Sequence, residues 1–335
     1  MSAKIMLKLN SGHEIPATGF GTWQAPPGQV LIAVYEALKA GYRHLDLAKI
    51  YRNQREVGEA IRKGMADFNI KREEIFITSK LWCNSFRPDR VAPALDQTLE
   101  ELGLDYLDLY LVHWPAPFGQ GEELVPVGPD GKVILDKTIT LTQTWRAMIA
   151  LPKSKVRSVG VSNYSIEHLK KIIKDTGVVP AMNQIERHPR VPNFPLIDYC
   201  REMGILITAY SAYGNNHFNV PLLVNHEKVI AAAASYSKRH GKEVTAPQIL
   251  CAWARYDAVS KKSGHSVIPK SVTPSRIVEN FVEVELDEEA YNELNVLGET
   301  EPRRFNIPMH DTPCVNVNIF NDDVDKHGTP VVLEV

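Results

Sequence analysis

Long apolar runs are missing from this chain. No stretch reaches the ~18 apolar residues that a membrane-spanning helix needs, and the opening MSAKIMLKLNSGHEIP carries no apolar core long enough for a secretory signal. The expectation is a cytoplasmic protein. Cysteine is scarce: Cys83, Cys200, Cys251 and Cys314 are the four among 335 residues, with no C-x-x-C pair. That spacing speaks against a zinc site or a redox centre and leaves reduced thiols and no metal. Neither sign of charge dominates, since 38 basic residues against 40 acidic ones leave a formal charge of −2. Such a balance gives no general pull toward nucleic acid or an anionic membrane, so a small-molecule partner fits better. H-E-x-x-H, Walker and G-x-S-x-G motifs are also absent, and Gly19-Phe20-Gly21 starts like a dinucleotide fingerprint but has Gln24 where the third glycine belongs.

What is present is a regular alternation. At 335 residues and 44% hydrophobic the chain can bury a large core, and nothing forces a split, so residues 1–335 are read as one domain. Met6 to Leu9 and Glu14 to Ala17 flank the turn signal Asn10-Ser11-Gly12, which predicts an N-terminal β-hairpin. Candidate strands follow near Gly19 to Thr22, Arg43 to Leu47, Ile75 to Ser79, Tyr106 to Val112, Val156 to Val161, Ala181 to Ile185, Ile205 to Ala209 and Ser266 to Ile268. Helical spacing separates several of them, over Val30 to Ala40, Val57 to Phe68, Val91 to Leu102, Ser165 to Asp175 and Leu196 to Met203. Strand alternating with helix implies parallel strands joined by right-handed crossovers; eight units at this length predict an α/β fold, a single (β/α)8 TIM barrel. Three stretches break the rhythm: Pro115 to Thr142, with a turn at Pro129-Asp130-Gly131, Gly214 to Asn225, and the tail from Glu299 to Val335. Loops of that length are expected to surround the mouth of the site at the C-terminal face.

In a barrel the carboxyl ends of all strands face one cleft. Collected there are Gly21, Thr22 and Trp23; Asp46; Lys80; His113 and Trp114; Ser162 and Asn163; Gln184; Tyr210 and Ser211; Lys270 and Ser271. Taken singly, each has a bland reading as cap, core residue or solvated charge. Together they suggest chemistry. Lys80 follows the apolar run IFITS and needs a carboxylate, for which Asp46 is the natural candidate. Tyr51 lies in the loop past Asp46; a phenol titrates near 10, and an adjacent ammonium would lower that value. His113 is a second group able to hold a substrate oxygen.

In the order GYRHLDLAKIYRNQREVG, FITSKLW, LDYLDLYLVHWP, VGVSNY, NQIERHP, ITAYSAYG and IPKSVTPSRIVEN, the chain resembles the aldo-keto reductases from about Thr18 to Asn280, and above all their fungal aldehyde reductases. The resemblance implies NADPH-dependent reduction of aldehydes, and of some ketones, to alcohols. It places the catalytic tetrad on Asp46, Tyr51, Lys80 and His113, with Tyr51 as general acid. It implies cofactor binding by Gly21, Thr22, Trp23, Ser162, Asn163, Gln184, Tyr210, Ser211, Tyr213, Asn215, Ile268, Lys270, Ser271, Val272, Thr273, Arg276, Glu279 and Asn280. Within that set Ser162, Asn163 and Gln184 would hold the carboxamide, Tyr210 would stack on the nicotinamide, and Lys270, Ser271, Thr273 and Arg276 would hold the 2′-phosphate. Substrate would meet Trp23, Trp82, His113 and Trp114, with Phe118 nearby. A monomer is implied.

A physical reading supports the phosphate pocket: Thr273-Pro274 looks like an N-cap followed by proline at the first helical position, opening free amides beside Lys270 and Arg276. The chain departs from the family pattern at SAYG after Tyr210, at Cys83 and Phe86, at MIALPKSKVRSV before the fifth strand, and in the long link RYDAVSKKSGH. Arg303 and Arg304 in the tail could favour substrates with an acidic or hydroxylated end, but read first as surface charges. Within the family, an aldose or xylose reductase, or a glycerol dehydrogenase, stays open. From other classes, a Schiff-base barrel aldolase using Lys80 and a non-catalytic NADPH-binding module are the alternatives.

Overall fold

The computed structural model describes residues 5–23, 25–215, 220–311, 313–321 and 327–334. Gln24, part of the second long loop and part of the tail therefore lie outside the described residues. The expected hairpin is formed by β1 (Met6–Lys8) and β2 (Glu14–Pro16), paired antiparallel. Eight parallel strands follow: β3 (Phe20–Gly21), β4 (His44–Asp46), β5 (Phe76–Leu81), β6 (Leu107–Val112), β7 (Val156–Ser162), β8 (Met182–Glu186), β9 (Leu206–Tyr210) and, after a small β10 (Tyr256–Asp257) and β11 (Lys262–Ser263) ladder, β12 (Ser266–Val267). Each matches a segment anticipated from alternation, within one or two residues. The sheet curls until its ends meet. Thr18 bridges Val267 in parallel, Gly19 N–H donates to Val267 O at 2.8 Å, and Gly21 N–H donates to Pro269 O at 3.0 Å. That closure makes the (β/α)8 barrel.

The hairpin plugs the end of the barrel where the strands begin. Leu9 and Ile15 pack with Phe76, Leu109, Leu111 and Met182, while the Asn10 amide donates to Pro180 O at 3.0 Å. Closing that end leaves the strands' carboxyl ends as the open face.

Helices α1 (Gln29–Ala40), α2 (Gln54–Asp67), α3 (Pro88–Leu102), α5 (Ile166–Thr176) and α6 (Phe194–Glu202) are the five anticipated ones. Their limits follow local chemistry. In α3, Pro88 starts the helix, Val91, Leu95, Thr98, Leu99 and Leu102 form its buried stripe, and Gly103 ends it in a left-handed conformation at φ 64°. In α5 the Ser165 hydroxyl accepts from His168 N–H and Gly177 closes the other end. The structure adds α4 (Leu141–Ile149), α7 (Glu227–His240), α8 (Ala246–Arg255) and α10 (Glu288–Thr300). Helix α4 begins as the long loop ends, where the Thr140 hydroxyl accepts from Gln143 N–H, so the proline- and glycine-rich run ahead of it hides its start. Helix α9 (Pro274–Asn280) has Thr273 as its N-cap residue and Pro274 in its first turn. The Thr273 side chain makes no capping bond; instead the Ser271 hydroxyl accepts from Thr273 N–H at 3.1 Å.

The tail is tied to the first long loop. Val133 N–H donates to Cys314 O at 3.0 Å, Leu141 N–H donates to Val332 O at 3.3 Å, and β13 (Val317–Asn318) pairs with β14 (Thr329–Pro330). Among the described residues no helix is long and apolar enough to cross a membrane.

Candidate active site

Strand β4 ends on Asp46, and its parallel neighbour β5 carries Lys80 two residues beyond Thr78, the residue paired with Asp46. Both side chains are shut off from water, at 1% and 0% exposure. The Lys80 ammonium donates to Asp46 Oδ1 at 2.5 Å, to Leu47 O at 2.8 Å and to Tyr51 Oη at 3.3 Å. Three donors meet three acceptors. No amine lone pair is left to attack a carbonyl, which removes the geometric basis for the Schiff-base alternative. The other carboxylate oxygen, Asp46 Oδ2, accepts from the Gln184 amide at 2.6 Å, so strand β8 also reaches into the cluster.

Tyr51 belongs to a short 3-10 turn, Lys49–Tyr51, directly after β4. The sequence predicts a phenol pulled below its usual value by Lys80, and the structure reverses this. Burial holds Tyr51 well above 10, and the charges of Asp46 and Tyr210 push the same way. Lys80 does not offset the burial, because it is neutralised by a carboxylate at 2.5 Å, closer than the phenol at 3.3 Å. Burial also lowers the Lys80 value, against the charge and hydrogen bond of Asp46. His113, just past β6, is held well below 6.5 by burial and then by the Lys80 charge, so its imidazole is neutral at physiological pH. Among the described residues its Nδ1 has no hydrogen-bond partner.

Aromatic rings surround the phenol. Trp23 lies 4.9 Å from the Tyr51 ring between centroids, and His113 lies edge-on to it at 6.0 Å. Trp82 meets His113 at 5.1 Å and Phe118 at 5.6 Å, while Trp114 stacks near His113 at 6.4 Å. Trp23 is 42% exposed, facing the open side, whereas Trp82 is buried and its indole N–H donates to Leu124 O at 2.6 Å. That bond pins the first long loop beside the pocket. The arrangement can deliver a proton to an oxygen held beside Tyr51 and His113, with an apolar wall for the rest of the ligand.

On the other side of the cleft stand the residues assigned to the cofactor. Ser162 ends β7, Asn163 follows it directly, and Gln184 lies in β8; all three are buried. Asn163 adopts φ 63°, an uncommon left-handed conformation for a non-glycine residue, and its amide donates to His113 O at 3.0 Å while its Oδ1 accepts from the Tyr210 hydroxyl at 2.6 Å. Gly21 runs against the chain after β12: a Cβ there would lie 3.0 Å from Ile268 O and 3.5 Å from Lys270 Cβ. Thr22 is buried with its hydroxyl on Asp46 O at 2.9 Å. Lys270 is half-buried, Ser271 and Asn280 are buried, Val272 and Glu279 are partly covered, and Thr273 and Arg276 are exposed at the start of α9. Tyr213 turns away from this rim, its hydroxyl 3.1 Å from Cys251 Sγ. Asn215 donates to Asn306 Oδ1 at 3.3 Å.

Four contributors went unread. Asn53 donates to Thr22 O at 3.1 Å and braces the first strand end. Glu186, inside the quoted NQIERHP, lies two residues beyond Gln184 and shares its face of the strand, a signal that period-two alternation carries. Phe305 and Asn306 gave none, because the tail has no periodicity.

This chain belongs to the aldo/keto reductase family, whose model matches residues 17–299, and it is an oxidoreductase. Among its relatives is a D/L-glyceraldehyde reductase of Hypocrea jecorina, 59% identical over 328 residues and covering 97% of each chain. An aldehyde reductase of Saccharomyces cerevisiae is 43% identical over 313 residues, 90% of this chain and 94% of that one. The aldose reductase structure from Schistosoma japonicum superposes with a TM-score of 0.80 at 39% identity, covering 91% and 95% of the two chains.

Proposed function

We propose that this enzyme reduces small aldehydes, glyceraldehyde-like hydroxyaldehydes first among them, to alcohols with NADPH. The observation that carries the chemistry is the buried Asp46–Lys80 pair reaching the part-buried Tyr51 phenol, beside a neutral His113. The choice of substrate follows the glyceraldehyde reductase relative. A pocket walled by Trp23, Trp82, Trp114 and Phe118 admits a small carbonyl compound.

The residues fit a reduced nicotinamide dinucleotide. The buried hydroxyl and amides of Ser162, Asn163 and Gln184 suit a carboxamide, the missing side chain of Gly21 leaves room for close approach, and Lys270 with Arg276 supplies cations for a 2′-phosphate. When bound, that cofactor supplies the hydride to the carbonyl carbon. Tyr51 Oη holds the proton for the carbonyl oxygen, and its high value keeps that proton in place across neutral pH. His113 orients the oxygen. Lys80 keeps a cation within 3.3 Å of the phenol as negative charge passes to it, and Asp46 fixes Lys80. The same reading takes residues 1–335 as one domain of a cytosolic monomer, which gel filtration tests.

Loss of NADPH absorbance with a panel of carbonyl compounds, on wild type and on Tyr51→Phe, is the decisive assay. Wild type consumes NADPH with glyceraldehyde. Tyr51→Phe loses roughly 10²- to 10⁴-fold in kcat yet still quenches its tryptophan fluorescence on NADPH addition. Undiminished turnover by that variant removes Tyr51 from the acid role.

A further inference from the structure

Glu186 is a buried carboxylate outside the tetrad, at the last position of β8. Its Oε1 accepts from Phe305 N–H at 2.8 Å and sits 2.9 Å from His188 Nε2, and its Oε2 accepts from Asn306 N–H at 2.9 Å. Burial pushes its carboxyl up, but the His188 contact and the two amides outweigh it and hold the value below the usual carboxylate range. Two successive backbone amides closing on one carboxylate form a small anion nest, and the anion here comes from the protein itself.

What those amides bring with them matters for the cleft. Phe305 is buried against His188, with ring centroids 5.3 Å apart, and against Gly214, where a Cβ would lie 3.2 Å from the Phe305 ring. The Asn306 side chain donates to Ser211 Oγ at 3.3 Å and accepts from Asn215 Nδ2 at 3.3 Å. Ser211 adopts φ 52°, a strained conformation that needs support from its surroundings. Further along, Phe320 meets Trp114 edge-on at 6.4 Å and lies 3.9 Å under the Arg304 guanidinium. The tail thus touches the loop after β9 at one end and the pocket wall at the other.

We infer that Glu186 is a positioning residue that seats the segment starting at Phe305, and through it sets both the 211–215 loop and the Trp114 wall. The inference rests on the proposed carbonyl reductase reading for its kinetic consequence, not for its geometry. Removing the charge loosens the two walls without touching the proton path, so binding suffers and chemistry does not.

The test compares wild type with Glu186→Gln, Glu186→Asp and Asn306→Ala. Amide exchange at residues 305 and 306 in Glu186→Gln rises at least about tenfold, the loss expected when charge-assisted hydrogen bonds of this kind go. The Kd for NADPH and the KM for glyceraldehyde rise by a similar factor, while kcat stays within about threefold; Glu186→Asp, which keeps the charge, recovers part of each. Asn306→Ala keeps the backbone grip, so exchange at 305 stays as in wild type while NADPH binding weakens; this variant decides the matter should Glu186→Gln fail to fold. Exchange and binding constants in Glu186→Gln within twofold of wild type overturn the inference, as does a fall in kcat at constant KM. A wild type that binds NADPH but reduces no carbonyl defeats the functional reading alone, because the exchange and binding arms still judge Glu186.

Discussion

Replacing Asp46 with alanine leaves the Lys80 ammonium fully buried with, among the described residues, only Leu47 O at 2.8 Å and Tyr51 Oη at 3.3 Å as partners. Breaking a buried ion pair by removing one member costs about 3–5 kcal/mol, because the charge that remains is uncompensated. The Gln184 amide loses its 2.6 Å acceptor at the same time, which adds to the deficit. Lys80 is already lowered from 10.5 by burial, with Asp46 opposing that shift, so its folded-state value drops further in the variant. Between that value and 10.5 the unfolded chain binds more protons than the folded one. Stability of Asp46→Ala therefore rises with pH through the window, at up to about 1.4 kcal/mol per pH unit, and its deficit against wild type shrinks. Lys80→Met is costly for the mirror reason. The double variant, with no buried charge left unpaired, loses less than the two singles together by about 2–3 kcal/mol. Urea unfolding followed by both tryptophan fluorescence and circular dichroism, near pH 7 and again near pH 9.5, measures all four corners. Additive losses with no pH dependence would refute the argument that this pair is held by mutual compensation.

The raised phenol and the lowered imidazole carry a pH signature. Carbonyl reduction needs Tyr51 protonated, so kcat is flat from about pH 6 to 9 with no inflection at the ordinary histidine value near 6.5; alcohol oxidation needs the phenolate and climbs with pH. A bell centred near neutrality in the reductive direction contradicts this. Arg276→Ala, which takes away a cation proposed for the 2′-phosphate, is expected to lower the NADPH to NADH selectivity by roughly ten- to a hundredfold, read from kcat/KM with each cofactor; unchanged selectivity rejects the phosphate pocket. Gly58→Ala places a Cβ 2.2 Å from Leu102 O at the α2–α3 contact, a clash with backbone that cannot rotate away. Thermal melting should show a loss of about 1–3 kcal/mol or more, with kcat unchanged in the fraction that remains folded.

Much of the barrel was legible along the chain. Arg43 to Leu47 and Tyr106 to Val112 announce strands because apolar and β-branched residues cluster between turn formers, and the carboxyl ends of those strands name Asp46 and His113 as neighbours of one cleft. Lys80 could be paired with Asp46 on the simple ground that an ammonium after an apolar run needs a counter-charge. Less was legible where the chain loses period. Helix α4 hides behind the proline- and glycine-containing loop, and the tail keeps no pattern by which Phe305 and Asn306 could be matched to Glu186.

The order of the barrel strands, the side chains at the strand ends and the family they resemble were determined by sequence alone, because alternation and capping act over a few neighbouring residues. Tertiary structure decided the electrostatics. Whether Lys80 lowers the Tyr51 phenol depends on how much of its charge Asp46 has already neutralised and how much water is shut out, and both are sums over groups far apart in the chain. The grip of Glu186 on the tail has the same origin: a carboxylate and two amides more than a hundred residues apart meet only once the barrel has closed.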